Sequence, residues 1–345
     1  MPDYFVRELD PEMGLGVAKR SYLRKDETWE DLSCRVALGN SLLHKTGEKD
    51  RDGLNEAIAS GAFLTAGRHL QHGDESQPSK NVELFSNCAT ACLSSVEFLL
   101  LLNGAGVGRN YSDEYMTIDW TNMPIIYNVL SPNHPDYVDF AQPILNRPGF
   151  VVISNRDKSL PVPNIYHVIE DSREGWARAA ELLEVSTWNK EKDKIIIFDY
   201  SKIREYGKPI GGMQNRPASG PIPLMYAFEN IKQIRSMDIM PWQQAMFVDH
   251  FLSECVANGG ARRSARIAVK YWKDEQIKKF ITIKRDNPWL WSSNNSVGCD
   301  SEFWEQAAIE NTNAQDIFNL ITQLSYGDMT GEPGIVNLDK LVIKE

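Results

Sequence analysis

Cys88 is the first group in this sequence whose type and setting suggest chemistry, because it sits between a short alternating run and a long apolar one. Val82, Leu84 and Ser86 alternate with Glu83, Phe85 and Asn87, which predicts a strand that ends at the thiol. From Thr90, a suitable N-cap, the run through Cys92, Leu93, Val96 and Phe98 to Leu102 predicts a helix buried on all sides, stopped by Gly104. A thiol at a strand end, a buried helix behind it and a glycine-rich turn with free backbone N–H groups would hold a phosphorylated ligand beside a reactive sulfur. The plainer reading is a core cysteine and a C-capping glycine, since free cysteine is among the most buried residue types.

Two further stretches could bind an anion. Lys202, Arg204 and Lys208 lead into Gly211-Gly212-Met213-Gln214-Asn215-Arg216-Pro217-Ala218-Ser219-Gly220, a loop of small residues, amides and a guanidinium after an apolar strand. Small residues let the backbone approach a ligand, and arginine pairs with phosphate in two-point fashion; a solvated loop is the alternative. Arg262, Arg263 and Arg266 follow Asn258-Gly259-Gly260 and concentrate positive charge in an otherwise acidic chain, which favours a phosphate-bearing ligand. His69, His72 and Asp74 could be metal ligands, but a hydrogen-bonding loop fits them better, and no metal is expected.

Gly104-Ala105-Gly106-Val107-Gly108 is not a dinucleotide fingerprint: Arg109 stands where its last glycine belongs, and the glycines follow a helix. A nicotinamide oxidoreductase is therefore disfavoured. With 345 residues the chain is long enough for a large core, and its formal net charge of −10 argues against a general nucleic-acid binder. Its five cysteines form no CxxC pair or dense framework, so neither a zinc site nor a disulfide scaffold is indicated. No apolar run reaches the roughly 18 residues of a membrane span and no leader is visible, so a cytoplasmic protein is expected.

Several elements must position these groups. Thr28-Trp29-Glu30-Asp31 opens one predicted helix, and Leu54 to Leu64 reads as a second. Residues 109–194 show little period and much turn punctuation, which suggests an insertion, ending in a helix over Ser172 to Val185. Asp171 and Glu174 suit the start of that helix. Ile195-Ile196-Ile197-Phe198 predicts a strand buried on both faces. Pro241 begins a helix that Asn258 and the two glycines end; Ile267, Val269 and Tyr271 then alternate with Arg266, Ala268 and Lys270 as a half-buried strand. Ser292 to Ser296 is a polar run whose amides line a pocket or precede the helix begun by Asp300, and Gly331-Glu332-Pro333-Gly334 makes a turn before an apolar terminal segment with an unprotected edge.

The ordered motifs LFSNC, NGAGVGR, DSREGW, FDYSKIREYGKPIGGMQNRPASGPIPLM, ECVANGGARRSARIAVKYWKD, WSSNNSV and GDMTGEPGIVNLDKL resemble the large catalytic subunit of ribonucleotide reductases, most closely the monomeric adenosylcobalamin-dependent type of bacteria and phages. The resemblance implies an α/β fold, a ten-stranded α/β barrel of two half-barrels that is incomplete here. Residues 1–80 would form an N-terminal helical region and 81–345 the first part of the barrel, with an insertion at about 109–194 that completes the effector site. It makes Cys88 the first member of the redox pair that reduces the ribose 2′ position. Ser86, Asn87, Gly104, Ala105 and Gly106 would lie beside the ribonucleotide substrate. Lys202, Arg204, Lys208, Gln214, Asn215, Arg216, Arg262 and Arg263 would sense the deoxynucleotide effector. It also implies adenosylcobalamin, or else a separate metal-containing radical-generating subunit, together with a thioredoxin-like reductant and, for a phage gene, the host cytoplasm.

One departure is large. The family's radical cysteine lies in an Asn-Pro-Cys-Gly-Glu motif downstream of GEPG, and these 345 residues contain no such motif. The expectation is an N-terminal portion that works with a C-terminal reductase fragment and is inactive without it. The alternative is a nucleotide-binding regulatory or assembly protein that keeps the effector loops and has lost the chemistry.

Overall fold

The computed structural model describes residues 11–80, 88–137, 152–153, 161–210, 216–259, 265–327 and 331–340. The chain divides into two compact units, 1–87 and 88–345.

The first unit is helical: α1 (Pro11–Ser21), α2 (Trp29–His44), α3 (Glu48–Ala59) and α4 (Gly67–His72). Thr28 caps α2, the helix the sequence predicts to open at this run, in a reciprocal pair with Asp31, each side chain accepting the other residue's backbone N–H. Leu32, Val36, Ile58 and Leu70 form the small core. Arg35 ties it together by donating to Glu27 and to the carbonyls of Tyr22, Leu70 and Gly73. The second helix differs from expectation: it starts at Glu48 and has ended before Phe63 and Leu64, which are exposed. Asp74 accepts from Arg24, Ser76 and Lys80. Among the described residues no group of three or more His, Cys, Asp or Glu could hold a metal ion.

The second unit opens with β1 (Cys88–Thr90), α5 (Ser94–Leu102) and β2 (Gly106–Asn110), a β-α-β crossover whose strands pair in parallel. A second layer follows, with β3 (Ile125–Val129), β4 (Val152–Ile153), β5 (Ile165–Val168), α6 (Arg173–Trp188) and β6 (Ile195–Asp199). The short pair β7 (Pro209–Ile210) and β8 (Arg216–Pro217) leads to α7 (Ile222–Ile234) and α8 (Pro241–Gly259). The chain then returns through β9 (Ala265–Tyr271), α9 (Ile277–Asp286), β10 (Ser293–Cys299), α10 (Ser301–Ala307), α11 (Asn313–Gly327) and β11 (Gly334–Asn337). Strands order as β1-β2-β9-β10-β11 in one sheet and β4-β3-β6-β5 in another, and every pairing in both is parallel. The architecture is thus α/β. The chain leaves the five-stranded sheet at Asn110 and rejoins it at Ala265, beside the strand it left.

Ile196, Ile197 and Phe198 in β6 are all buried, as a continuous apolar run requires. Ser172 caps α6 by accepting from Gly175 N, and Asp300 caps α10 by accepting from Phe303 N. The Ser292–Ser296 run does precede the helix begun by Asp300, and it does so as most of the strand β10, whose register with β9 pairs Ser293 with Arg266 and Ser296 with Val269. Other expectations fail. Helix α5 starts at Ser94, not near Thr90, and it exposes Val96, so it is not buried all round. In β9 the buried face is the polar one, since Arg266, Ala268 and Lys270 point inward while Ile267 is exposed. Among the described residues no helix is long and apolar enough to cross a membrane.

Candidate active site

Among the described residues Cys88 is the first of β1, which runs on to Thr90, and it is exposed; the strand predicted over 82–87 lies outside the described residues. The register sets Cys88 beside Gly106 and Gly106 beside Ala265, a row across the N-terminal ends of three parallel strands. The glycine-rich segment divides in two. Gly104 takes a positive φ of 76° and closes α5, with Gly104 N–H donating to Leu101 O (2.7 Å) and Ala105 N–H to Leu100 O (2.9 Å). Those N–H groups are therefore not free for a phosphate, and Gly106 and Gly108 belong to β2. What remains at this edge is a thiol next to a bare glycine backbone. Ser86 and Asn87 lie outside the described residues.

Strands β2 and β9 of this row also carry a buried charged cluster that the sequence did not disclose. Arg109 of β2 donates through Nη1 to both carboxylate oxygens of Asp249 on α8 (2.9 and 2.7 Å) and to Ser94 Oγ (2.8 Å). Tyr111 O–H donates to Asp249 Oδ2 (2.5 Å) and accepts from Arg266 Nη2. Arg266 also donates to Glu97 of α5 and to Ser292 Oγ (2.9 Å), whose oxygen lies 2.8 Å from His250 Nδ1. Arg109, Asp249, Tyr111, Arg266 and Glu97 are each at most 5% exposed. Burial pushes the Glu97 carboxyl up to about 7, with the Arg266 guanidinium pulling against it. Burial likewise raises the Tyr111 hydroxyl well above its ordinary range, so it stays neutral. The cluster fixes β2, β9, α5 and α8 relative to one another. The visible signals were a glutamate within an apolar helix, Glu97, and an aspartate on the apolar helix that carries Phe247 and Phe251, Asp249.

His250 gives the cluster a pH dependence. Burial, and then Arg266, hold its imidazole down at about 3, against 6.5 ordinarily. As pH falls below 6.5 the unfolded chain takes up a proton that the folded chain refuses, so stability is lost progressively down to about 3. Between pH 6.5 and pH 5 the expected loss is about 2 kcal/mol, at ~1.4 kcal/mol per pH unit. Urea unfolding across that range measures it, and His250→Gln should flatten the His250 part of the slope.

The loop after β6 is more paired than its composition suggests. Lys202 is exposed, Arg204 Nε donates to Asp171 Oδ2 (2.7 Å), and Lys208 lies 3.1 Å from Glu205. Asp171 thus serves Arg204, and Ser172 is the cap of α6. Gln214, Asn215, Arg262, Arg263 and the side chain of Arg216 lie outside the described residues. Arg266, the third arginine of its run, is neutralised inside the cluster and is not available to a ligand. A clamp from the other side was not foreseen: His134 Nε2 donates to Ile203 O (2.7 Å), while Asp136 Oδ2 accepts from Tyr206 N (2.9 Å). Gly220, at φ +70°, closes against the same carboxylate, and a Cβ there would stand 2.4 Å from Asp136 Oδ2. Gly220→Ala should therefore cost about 1–3 kcal/mol and loosen the loop, read by urea unfolding and by faster proteolysis within 202–220.

Known proteins share this architecture. Residues 151–235 match the family described as the B12-dependent ribonucleotide reductase insertion domain. A protein of Mycobacterium phage D29 named for adenosylcobalamin-dependent ribonucleoside-triphosphate reductase is 31% identical over 344 residues, covering 90% of this chain and 47% of the relative. The adenosylcobalamin-dependent ribonucleoside-triphosphate reductase of Lactobacillus acidophilus is 33% identical over 98% of this chain and 50% of its own length. The crystal structure of a B12-dependent (class II) ribonucleotide reductase superposes with a TM-score of 0.68 at 22% identity, over 95% of this chain and 49% of that one. Residues 151–235 thus match the insertion domain of B12-dependent ribonucleotide reductases, and nearly the whole chain is similar to adenosylcobalamin-dependent ribonucleoside-triphosphate reductases, of which it spans about half the length.

Proposed function

We propose that this chain is the substrate-reducing and effector-sensing portion of a ribonucleoside-triphosphate reductase, with Cys88 as one of two thiols that reduce the ribose. The observation that carries this reading is the exposed Cys88 thiol at the head of a parallel strand, in register with Gly106 and Ala265. In the net step the 2′ carbon–oxygen bond breaks, the oxygen leaves as water, and the carbon gains hydrogen. Cys88 and a second thiol become a disulfide, which balances the two electrons. A thioredoxin-like dithiol would return the pair to the reduced state.

Ser86, Asn87, Gly104, Ala105 and Gly106 would flank the substrate. Glycine at 106 suits that role, because it leaves the neighbouring strand bare where a sugar must approach the sulfur. Lys202, Arg204, Lys208, Gln214, Asn215, Arg216, Arg262 and Arg263 would read a deoxynucleotide effector by charge and amide contacts. In this reading the five-stranded sheet is one half of a ten-stranded barrel. Residues 1–80 are a helical preface to it, and the excursion from 109 to 194 belongs to an insertion that continues through the family match at 151–235.

Adenosylcobalamin, named for the relatives, supplies a radical when bound. The buried charged groups here pair largely with one another, which does not fit a cradle for it, so no contact to it is assigned to them. The radical cysteine would come from sequence bearing the Asn-Pro-Cys-Gly-Glu motif, continuous with this chain or separate from it. The test supplies this chain together with such a sequence, adenosylcobalamin and a dithiol. Deoxyribonucleoside triphosphates should form from ribonucleoside triphosphates, and their absence from a folded, cofactor-loaded mixture would reject the reading.

A further inference from the structure

Helix α5 follows Cys88 after a short link, yet it has no cap of its own. Its N-cap residue is Leu93, whose side chain makes no capping hydrogen bond. The missing acceptor comes from α6. Glu184 accepts from Ser94 N (2.7 Å) through Oε1, and from Ser95 N (2.9 Å) and Ser95 Oγ (2.5 Å) through Oε2. A carboxylate at a helix N-terminus meets both the orphan N–H groups and the positive end of the helix dipole. Glu184 is buried, and its helix packs against α5. Ser94 is held from the opposite side by Arg109 of β2, and Ala91 N–H donates to Gly108 O (3.1 Å).

Helix α6 is tied at its other end to the loop of candidate effector residues. Arg204 donates to Asp171, which immediately precedes the Ser172 cap of α6. Thirteen residues of chain then lead to Glu184, or about 20 Å at 1.5 Å per helical residue. One helix thus joins the 202–208 segment to the start of α5, and only Ala91, Cys92 and Leu93, a short bend in which Ala91 is held to Gly108, separate Ser94 from β1.

We propose that Glu184 is a positioning residue that sets the placement of the Cys88 strand from the insertion helix, so that an effector held at the Lys202–Lys208 loop acts on the thiol through α6. The effector clause rests on the reductase reading; the positioning of Cys88 does not. Glu184→Ala removes the cap, and Glu184→Gln retains one carbonyl acceptor in nearly the same volume.

The experiment measures the alkylation rate of Cys88 by a small maleimide in the 345-residue chain. Cys34 and Cys92, the other exposed thiols, are replaced by serine; Cys255 and Cys299 are buried and stay silent. Without nucleotide, Glu184→Ala should change the Cys88 rate about fivefold, as loss of a cap frees the helix start, and Glu184→Gln should fall between it and the parent. Each of the four deoxyribonucleoside triphosphates is then added as probe, with its binding measured separately by calorimetry. A nucleotide that alters the Cys88 rate in the parent should bind Glu184→Ala with similar affinity and no longer alter it. The proposal is overturned if the folded Glu184→Ala chain, or Glu184→Gln should alanine fail to fold, alkylates at the parent rate. It is equally overturned if a bound nucleotide keeps its full effect on Cys88 in either variant. If the parent binds none of the four nucleotides, the effector reading fails, while the nucleotide-free rates still decide the positioning of Cys88.

Discussion

Replacing Asp249 by alanine should destabilise the second unit by about 3–5 kcal/mol, the range for breaking a buried ion pair by removing one partner. Asp249 is the common acceptor of the cluster, taking hydrogen bonds from Arg109 and Tyr111 and lying 3.5 Å from Arg266 Nη2. Its side chain is fully buried, and those of Arg109 and Arg266 are 5% and 1% exposed. Without it, Arg266 keeps only Glu97 as an ion-pair partner, Arg109 loses its own and keeps only the more distant influence of Glu97 and Glu184, and Tyr111 loses the acceptor of its O–H. Most of the cost is the excess positive charge left without water, not the attraction lost. Pairing Asp249→Leu with Arg109→Met should therefore recover a good part of it, since charge and counter-charge leave together. Urea unfolding of the two single variants and the double variant measures this. A midpoint for Asp249→Ala equal to the parent's would mean that the cluster does not hold the sheet.

That cluster also shows where sequence reasoning stopped. The apolar run at 195–198, the proline-started helix from Pro241 and the helix beginning at Ser172 were legible because each is local: the residues that decide them lie within one or two turns. Gly104 was legible for the same reason. The orientation of β9 was not. Its alternation of Ile267, Val269 and Tyr271 with Arg266, Ala268 and Lys270 is compatible with either face inward. The choice is made by groups far away in sequence: Glu97 and Asp249 for Arg266, and Asp113 and Asp274 beside Lys270. A strand whose polar face is buried requires counter-charges on the elements packed against it. Glu97 and Asp249 were visible as charges within apolar helices, but nothing local says which cation each will meet.

The site divides along the same line. Cys88 and Gly106 were marked by type, and family resemblance assigned their roles, but their adjacency comes from strand register, which a crossover through α5 sets. The same crossover overrode Thr90 as a helix start, because three residues of β1 must pair with β2 before the chain can turn. Glu184, 90 residues from the backbone it caps, carried no local signal at all.

If Cys88 is the reducing thiol proposed above, Cys88→Ser should abolish ribonucleotide reduction once the chain is combined with the radical-bearing sequence, lowering turnover by roughly 10³-fold or more while nucleotide binding changes little, as for loss of a group that acts only in the chemical step. Serine keeps the size and the hydrogen-bonding capacity of the side chain but cannot be oxidised to a disulfide, so it tests redox chemistry separately from packing. Exposure of Cys88 means the substitution should leave the unfolding midpoint nearly unchanged. Three other thiols of the same unit bear on the result. Cys255 is buried, donates to Pro223 O at 3.3 Å, and burial raises its thiol far above the ordinary range. Burial pushes Cys299 up to about 12. Neither is available as a reductant. Cys92, exposed in the turn between β1 and α5, is the one neighbour that could substitute. The Cys92→Ser variant should therefore retain turnover within about twofold, since nothing in strand register sets that residue beside Gly106. Steady-state rates of deoxynucleotide formation, with nucleotide affinity measured alongside, separate the cases. Full turnover in Cys88→Ser combined with loss in Cys92→Ser would move the chemistry four residues along the chain and remove the strand-edge thiol from the mechanism.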